Sequence, residues 1–510
     1  MQPDSLKAPI MPTLTSSQHI LQTPLVRQVQ QLAQAQGGVA YLVGGAVRDW
    51  LLTGELPLDL DFTLLNCSAA ELAKTLADDA GGHLVPLDWN FGIHRVVFDD
   101  GVNVDLADAL ENNLHTDLAR RDLTINALAL DLTTGELIDI CDGQADLTAR
   151  HIRMVSAFNL LDDPLRMLRV FRFGATLQSG TPEAQPTGEN PAENQTESPL
   201  VSFDEATLAV VRQHGAKIWE SAAERITYEL FRLVSAEHCF PALSAMAECG
   251  LLEVLIPDLT PMRTIGSSGF HHLGLFDHTM ELVRQSEMLI HECPPQAQEW
   301  LRQPFTPAVN RMGLVKLACL LHDIGKPGTM GTREDAVHGQ RLTFYGHEEL
   351  GEEMSDPLLR KLKVSNEVRA YLKKLVRWHL YPCQFGPQSP RKSVLKFYRR
   401  MGEETLDILL LALSDRHSAC GDWLDPADMA ASHQAHLWLM ANYQAEEKTL
   451  LLPRLMNGNE VMQVLNLSPG PHLKDILEAL QEAQQLHEIS NPEEAKAWLI
   501  AHYGPAQIKP

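Results

Sequence analysis

The run from Tyr41 to Thr63, YLVGGAVRDWLLTGELPLDLDFT, constrains the fold more than any other part of the chain. Tyr41 to Val43 is apolar and reads as a short buried strand. Gly44-Gly45 ends it, and a helical pattern follows from Ala46 to Leu52. Paired glycines at a strand-to-helix turn let the backbone approach a ligand closely, and the N–H groups of a helix start suit phosphate. Arg48, one turn into the helix, carries a guanidinium that can hold a phosphate bidentately. Asp59-Leu60-Asp61 comes next. Residues two apart in a strand share a face, so both carboxylates point one way, which is costly without a cation between them. A hard divalent metal beside a nucleoside triphosphate meets that requirement.

Further along, Ala69 to Ala80 reads as a helix, and residues 83–108 read as strands with turns at Phe91-Gly92 and Asp99-Asp100-Gly101. Asp105 lies on the last of these strands, either as a third carboxylate of the cluster or as a strand-end carboxylate facing water. The segment Arg120-Arg121-Asp122-Leu123-Thr124-Ile125-Asn126-Ala127 reads as a helix start capped by Asp117, its arginines serving either a ligand or surface salt bridges. Asp162-Asp163-Pro164 opens another helix, with an aspartate as cap and proline at the first helical position. Arg166, Arg169 and Arg172 then step by three along one face, as a solvated basic stripe would.

Gly-Gly, Arg-Asp, Asp-x-Asp, Arg-Arg-Asp-x-x-x-Asn and Asp-Asp-x-x-Arg, in that order, resemble the nucleotidyltransferase superfamily, in the branch of bacterial tRNA CCA-adding enzymes and poly(A) polymerases. The resemblance covers residues 40–177 and 203–240. It implies that Asp59 and Asp61 hold Mg²⁺ and that Asp105 completes the metal triad and activates the RNA 3′-hydroxyl. It also implies that Gly44, Gly45, Arg48, Arg121, Arg169 and Arg172 bind the nucleotide, with Asp122 and Asn126 near its sugar. Asp163 and Arg166 match the family's Glu-Asp-x-x-Arg motif, where Asp and Arg pair with the Watson–Crick edge of the incoming base; Asp162 stands where Glu is usual. Asp142-Gly143, Asp146-Leu147 and Arg153 match the segment joining head to neck. Partners implied are the tRNA 3′ end, CTP and ATP. Only 14 residues, LADALENNLHTDLA, separate Asp105 from Arg120. Relatives that finish with adenosine usually carry a longer mobile loop here, so the expectation is a CC-adding enzyme. A complete CCA-adding enzyme is the alternative, and a poly(A) polymerase fits less well because no strongly basic RNA-tracking extension is present.

From about residue 250 the pattern reads as all helical, and it carries His278, His322-Asp323, His347, His379 and Asp415. Imidazoles with carboxylates on helices suit a first-row transition metal or a Mg/Mn site. This set resembles the HD superfamily of metal phosphohydrolases over residues 270–420. The resemblance implies His278, His322, Asp323 and Asp415 as core ligands of Mn²⁺, Ni²⁺ or Mg²⁺, with His347 and His379 available to a second metal and Lys326 to a phosphate. In tRNA nucleotidyltransferases with this domain, phosphatase, 2′-nucleotidase and cyclic phosphodiesterase activities accompany it. Residues 453–500 resemble the family's tail, which approaches tRNA.

The expected architecture is an α+β multidomain chain. A leader and first helix (1–36) precede a nucleotidyltransferase head of mixed β-sheet and helices (37–155). An all-α neck (156–250), an HD domain (251–425) and a helical tRNA-binding tail (426–510) follow. Residues 177–203, rich in Pro, Gly, Glu and Ser, read as a disordered insertion. Eight cysteines without a CxxC pair indicate reduced thiols, and no signal-peptide or membrane-length apolar run occurs, so a cytoplasmic protein is expected. A formal charge of −24 requires RNA to be held by local basic surface and predicts weak nonspecific binding to polyanions. A regulatory protein that senses nucleotides with both sites would signal itself by a missing carboxylate, and none is missing. HD hydrolysis as the main activity is a further alternative. The sequence leaves the oligomeric state open.

Overall fold

The computed structural model describes residues 19–88, 92–179, 200–267, 272–335, 339–419, 421 and 423–504. The chain forms two compact units, one of residues 1–257 with 361–363, the other of 258–360 with 364–510.

In the first unit, helix α1 (Pro24–Ala35) leads into β1 (Val39–Val43), α2 (Gly45–Thr53) and β2 (Asp59–Leu65). Helix α3 (Ala69–Ala80) follows; the Ser68 side chain caps it and Gly81 closes it in the left-handed conformation. Strands β3 (His83–Asp88), β4 (Ile93–Val97), β5 (Asn103–Asp108), β6 (Leu128–Asp131) and β7 (Leu137–Asp139) complete a seven-stranded sheet of order β3-β4-β5-β2-β1-β6-β7. Among the described residues of this sheet only β2 and β5 pair in parallel, with Asp61 opposite Asp105. Leu60, Phe62 and Leu64 point into a core shared with Trp50, Leu72, Leu76, Val104 and Leu106. The alternation that buries them turns Asp59 and Asp61 to the opposite face.

The helix expected to start at Arg120 forms otherwise. Asn113 caps the short α4 (Leu114–Ala119), with Asp117 inside it, and only a 3₁₀ turn at Thr124–Asn126 separates Arg120 from β6. Asp117 takes side-chain donors instead of capping: Thr63 and both Arg120 and Arg121 donate to it. Helices α5 (Gly143–Ala149), α6 (Ala157–Asp162) and α7 (Leu165–Ser179) continue the chain. The insertion expected over 177–203 has ordered margins. Helix α7 runs to Ser179, Leu177 and Val201 are buried, and the Phe203 ring packs on Phe171 at 5.6 Å between centroids. Apolar side chains at both ends find partners, and residues 180–199 lie outside the described residues. The neck resumes as α8 (Glu205–His214) and α9 (Ala223–Val234), split by a 3₁₀ segment at Gly215–Glu220 where one continuous run was expected.

The second unit contains α10 (Leu275–Leu289), α11 (Arg311–Leu321), α12 (His347–Lys361), α13 (Asn366–Trp378) and α14 (Thr405–Ser418). Every residue of α11 is buried, as expected of a helix apolar on nearly all sides. Lys316 on this helix is neutralised by Glu287 at 3.0 Å. The unit is not wholly helical: a hairpin forms at 304–310, and the strands Gly331–Asp335 and Gly339–Thr343 pair in continuous antiparallel register. Three helices at Gly458–Leu465, His472–Gln485 and Pro492–Tyr503 form a separate apolar cluster around Val461, Leu480 and Leu499. No described helix is long and apolar enough to cross a membrane.

Candidate active sites

The polar face of the head sheet gathers the three sequence-predicted carboxylates. Asp59 and Asp61 alternate along β2, and Asp105 stands opposite Asp61 on β5. Asn103 Nδ2 donates to Asp59 Oδ1 at 2.8 Å. Arg95, opposite Asp105 on β4, donates from Nε and Nη2 to its two oxygens, each at 2.7 Å. Burial pushes the Asp61 carboxyl up to about 6; Arg121 partly offsets this, and the Asp105 and Asp59 charges add to it. The protein's own cations leave this trio under-compensated, and an all-oxygen donor set on one face suits a hard divalent cation.

The glycine turn lies over this cluster. Gly44 has φ +66°, and a Cβ there would come within 2.4 Å of Arg121 Nη1 and 3.7 Å of Asp61 Oδ2, so both conformation and space call for glycine. Arg48 is buried and donates to Asn126 Oδ1 at 2.6 Å; Asn126 in turn donates to Asp122 Oδ1 at 3.0 Å. Asp122 Oδ2 accepts from Arg169 Nε at 2.7 Å. Glu229 on α9 pairs with Arg172 and lies 3.9 Å from Arg169. The Phe173 ring collects Arg172, Arg48 and Arg169 at 3.8, 4.6 and 5.3 Å from its centroid. Arg169 and Arg172 are therefore held against buried carboxylates, and the solvated-stripe reading fails. Burial opposes the charge on Asp122, yet Arg169, Asn126 and the Leu123 amide hold its carboxyl at about 2. Burial lowers Arg172 to about 10 despite Glu229.

At the mouth of this network, Asp163 caps α7 through the Leu165 amide (3.3 Å), and its Oδ2 accepts from Arg225 Nη2 at 2.9 Å. Arg166 Nη1 donates to the carbonyls of Arg120 (2.8 Å) and Asn159 (3.2 Å). Arg166 is anchored by carbonyls, so its charge stays uncompensated by any of the carboxylates described around it. The structure thus brings together Gly44, Gly45, Arg48, Asp59, Asp61, Asp105 and Arg121 at the sheet face. Asp122 and Asn126, from the segment before β6, link this face to Arg169 on α7, which also carries Arg166 and Arg172 after Asp163.

The second unit assembles all six predicted HD residues. His322 ends α11, and the turn after it lets His322 and Asp323 face one site although they are adjacent. Gly325 allows the close crossing of α12: a Cβ there would lie 2.2 Å from the His347 carbonyl oxygen. His278, His322 and Asp415 form one trio and Asp323, His347 and His379 another, the donor atoms of each within 4.8 Å of one another. His322, His347 and His379 each turn Nδ1 to a backbone carbonyl at 2.7 Å, of Cys319, Phe344 and Val376. A carbonyl only accepts, so Nδ1 carries the proton and Nε2 is left as the ligand. His278 Nδ1 faces Ser418 Oγ at 3.1 Å, and its Nε2 lies 3.1 Å from Asp415 Oδ1. Burial and the neighbouring imidazoles hold His379 neutral, at about 3. Imidazole nitrogens with the buried Asp323 and half-buried Asp415 carboxylates fit a divalent metal. Lys326 Nζ, expected on a phosphate, lies 2.6 Å from Asp323 Oδ2.

Sequence reasoning missed Arg95, Glu229, Arg225 and Phe173. The turn at Asp99-Asp100-Gly101 offered a signal for Arg95, because Arg95 and Asp105 lie equally far from Asp100 and so face each other across the hairpin. Glu229 and Arg225 reach their partners across more than 50 residues, and nothing local marks them.

The description "Poly A polymerase head domain" matches residues 40–153, "Probable RNA and SrmB- binding site of polymerase A" residues 201–263, and "HD domain" residues 276–420. The chain is 34% identical to an A-adding tRNA nucleotidyltransferase of Deinococcus radiodurans, over 90% of this chain and 94% of that one. It is 32% identical to a CC-adding tRNA nucleotidyltransferase of Thermus thermophilus, over 90% of this chain and 93% of that one. A structure of the Thermotoga maritima CCA-adding enzyme complexed with tRNA superposes with a TM-score of 0.60 at 18% identity, covering 96% of this chain and 98% of that one.

Proposed function

The chain belongs to the tRNA nucleotidyltransferase family, and from that premise we propose that it adds two cytidylates to the tRNA 3′ end without a nucleic-acid template. Asp59 and Asp61 would hold Mg²⁺, which when bound neutralises the triphosphate and acidifies the attacking hydroxyl. Asp105 takes the proton of the RNA 3′-hydroxyl. Arg48, Arg121, Arg169 and Arg172 hold the triphosphate beside the Gly44-Gly45 turn, and Asp122 and Asn126 keep Arg169 and Arg48 in place. Asp163 accepts from the cytosine amino group and Arg166 donates to its acceptor edge. The oxyanion of the attacking ribose displaces pyrophosphate, whose charge remains on the arginines.

The observation that carries the CC reading is how firmly the interval after Asp105 is tied down. The Ala109 amide donates to the Leu64 carbonyl at 2.8 Å. Asn112 and Asn66 exchange two hydrogen bonds, at 2.8 and 2.5 Å, and Asn113 caps α4. The interval is anchored at Ala109, Asn112 and Asn113, which supports a short fixed segment rather than a loop that reshapes the pocket for ATP. The second reading, an A-adding enzyme, draws on the 34% identity to the Deinococcus protein. A tRNA already ending in CC, supplied with ATP, separates them: no extension is expected. Addition of one adenylate would overturn the CC reading in favour of an A-adding or complete CCA-adding enzyme.

We assign the second site a divalent-metal phosphohydrolase activity on phosphate esters, with Mn²⁺, Ni²⁺ or Mg²⁺ as metal. The two trios of donors, all buried but the half-buried Asp415, support this reading. A cytoplasmic setting agrees with seven free thiols among the described residues.

A further inference from the structure

Arg95, Asp105 and Asp61 occupy one row across β4, β5 and β2. The Arg95 guanidinium grips Asp105 with two parallel bonds of 2.7 Å, the strongest geometry a carboxylate can be offered. This grip uses one lone pair of each oxygen and leaves the others for a proton or a cation. It also places a fixed positive charge beside three carboxylates that share one face. The pair is partly exposed, with side chains 32% and 19% accessible, so as a purely structural salt bridge it contributes little to stability. Its precise geometry at this place in the sheet calls for another explanation.

We infer that Arg95 is a positioning residue for nucleotidyl transfer: its two-pronged grip holds the Asp105 carboxylate correctly oriented beside Asp61, ready to take the 3′-hydroxyl proton. The inference rests on the proposed role of Asp105. In this role Arg95 acts through Asp105 alone. Its removal therefore slows the chemical step while CTP binding is preserved. Lysine keeps the charge but cannot make the two-pronged bond, so it restores only part of the rate.

The test uses the full chain carrying R95Q, R95K, D105N and the R95Q/D105N pair, assayed for CTP addition to tRNA ending at the discriminator base. R95Q is expected to lower kcat about 10- to 100-fold, the scale of losses for residues that orient metal ligands, with KM for CTP within about threefold and Tm unchanged. R95K falls between R95Q and the native chain. In the D105N background, R95Q is expected to cost nothing further, the signature of residues acting as one unit. Four results would overturn the inference: native kcat in R95Q, R95K no faster than R95Q, the same fold-loss from R95Q with and without Asp105, or a loss that follows a fall in Tm. Native activity in D105N would remove the role of Asp105 and the inference with it. An inactive D105N beside a fully active R95Q would sink the inference alone.

Discussion

Replacing Asp59 and Asp61 together by alanine is expected to lower cytidylate addition by at least about a thousandfold, or ~4 kcal/mol of transition-state stabilisation. Both carboxylates lie on the polar face of β2 and anchor no part of the apolar core, so the head keeps its fold. Metal-free stability is expected to rise. The folded-state carboxyl of Asp61 sits at about 6, above its ordinary 3.8, so folding is penalised as pH rises through that interval. An Asp61→Asn variant in EDTA escapes that penalty: its advantage is full above about pH 6 and vanishes below about pH 4. Phosphate-ester hydrolysis by the second unit is expected to survive the double substitution, since all six of its donors come from residues 278–415. His322→Ala with Asp323→Ala should reverse the pattern, abolishing hydrolysis and sparing addition. Addition that persists in the Asp59/Asp61 variant would refute the assignment of the head site.

Glu229→Ala is expected to destabilise the first unit by about 3 kcal/mol, because it strips the counter-ion from the part-buried Arg172 guanidinium and leaves Arg169 with Asp122 alone. In a unit of this size that lowers Tm by roughly 9 °C. The KM for CTP should rise with it, as Arg169 and Arg172 lose the group that aims them. Glu229→Gln, of equal size, retains a hydrogen-bonding oxygen and should cost about half as much. A change below ~0.5 kcal/mol, the scale of an ordinary surface substitution, would show that the cluster tolerates unpaired arginine. The same network gives a pH signature through Asp122, whose folded carboxyl sits at about 2 against an ordinary 3.8. A carboxylate depressed on folding stabilises above its unfolded value, and the benefit is lost as pH falls through the folded one. The native chain should therefore exceed Asp122→Asn by about 2 kcal/mol at neutral pH, with the gap closing between about pH 4 and pH 2.

Features built on short spacing were legible in the sequence. The two-residue step from Asp59 to Asp61 fixes a shared face, and the Gly44-Gly45 turn needs only the strand before it and the helix after it. The HD donors were legible because their residue types in that order have few other uses. Segments whose structure depends on partners far along the chain were not. Arg120 to Ala127 resembles a helix start locally, but Asp117, Asp122 and Asn126 spend their side chains on Arg120, Arg169 and Arg48, and the backbone follows them. The arginines of α7 look solvated until Glu229 arrives from a helix some 60 residues on. The paired strands Gly331–Asp335 and Gly339–Thr343 lie in a polar stretch that gives no strong alternation to read.

The measurement that tests the account most directly is extension of a tRNA ending at the discriminator base, given CTP and ATP together and resolved to single nucleotides. The account predicts two cytidylates and then a stop, with ATP unused. A third addition, or adenylate added in place of cytidylate, would contradict it and show that the anchored interval after Asp105 does not decide where synthesis ends.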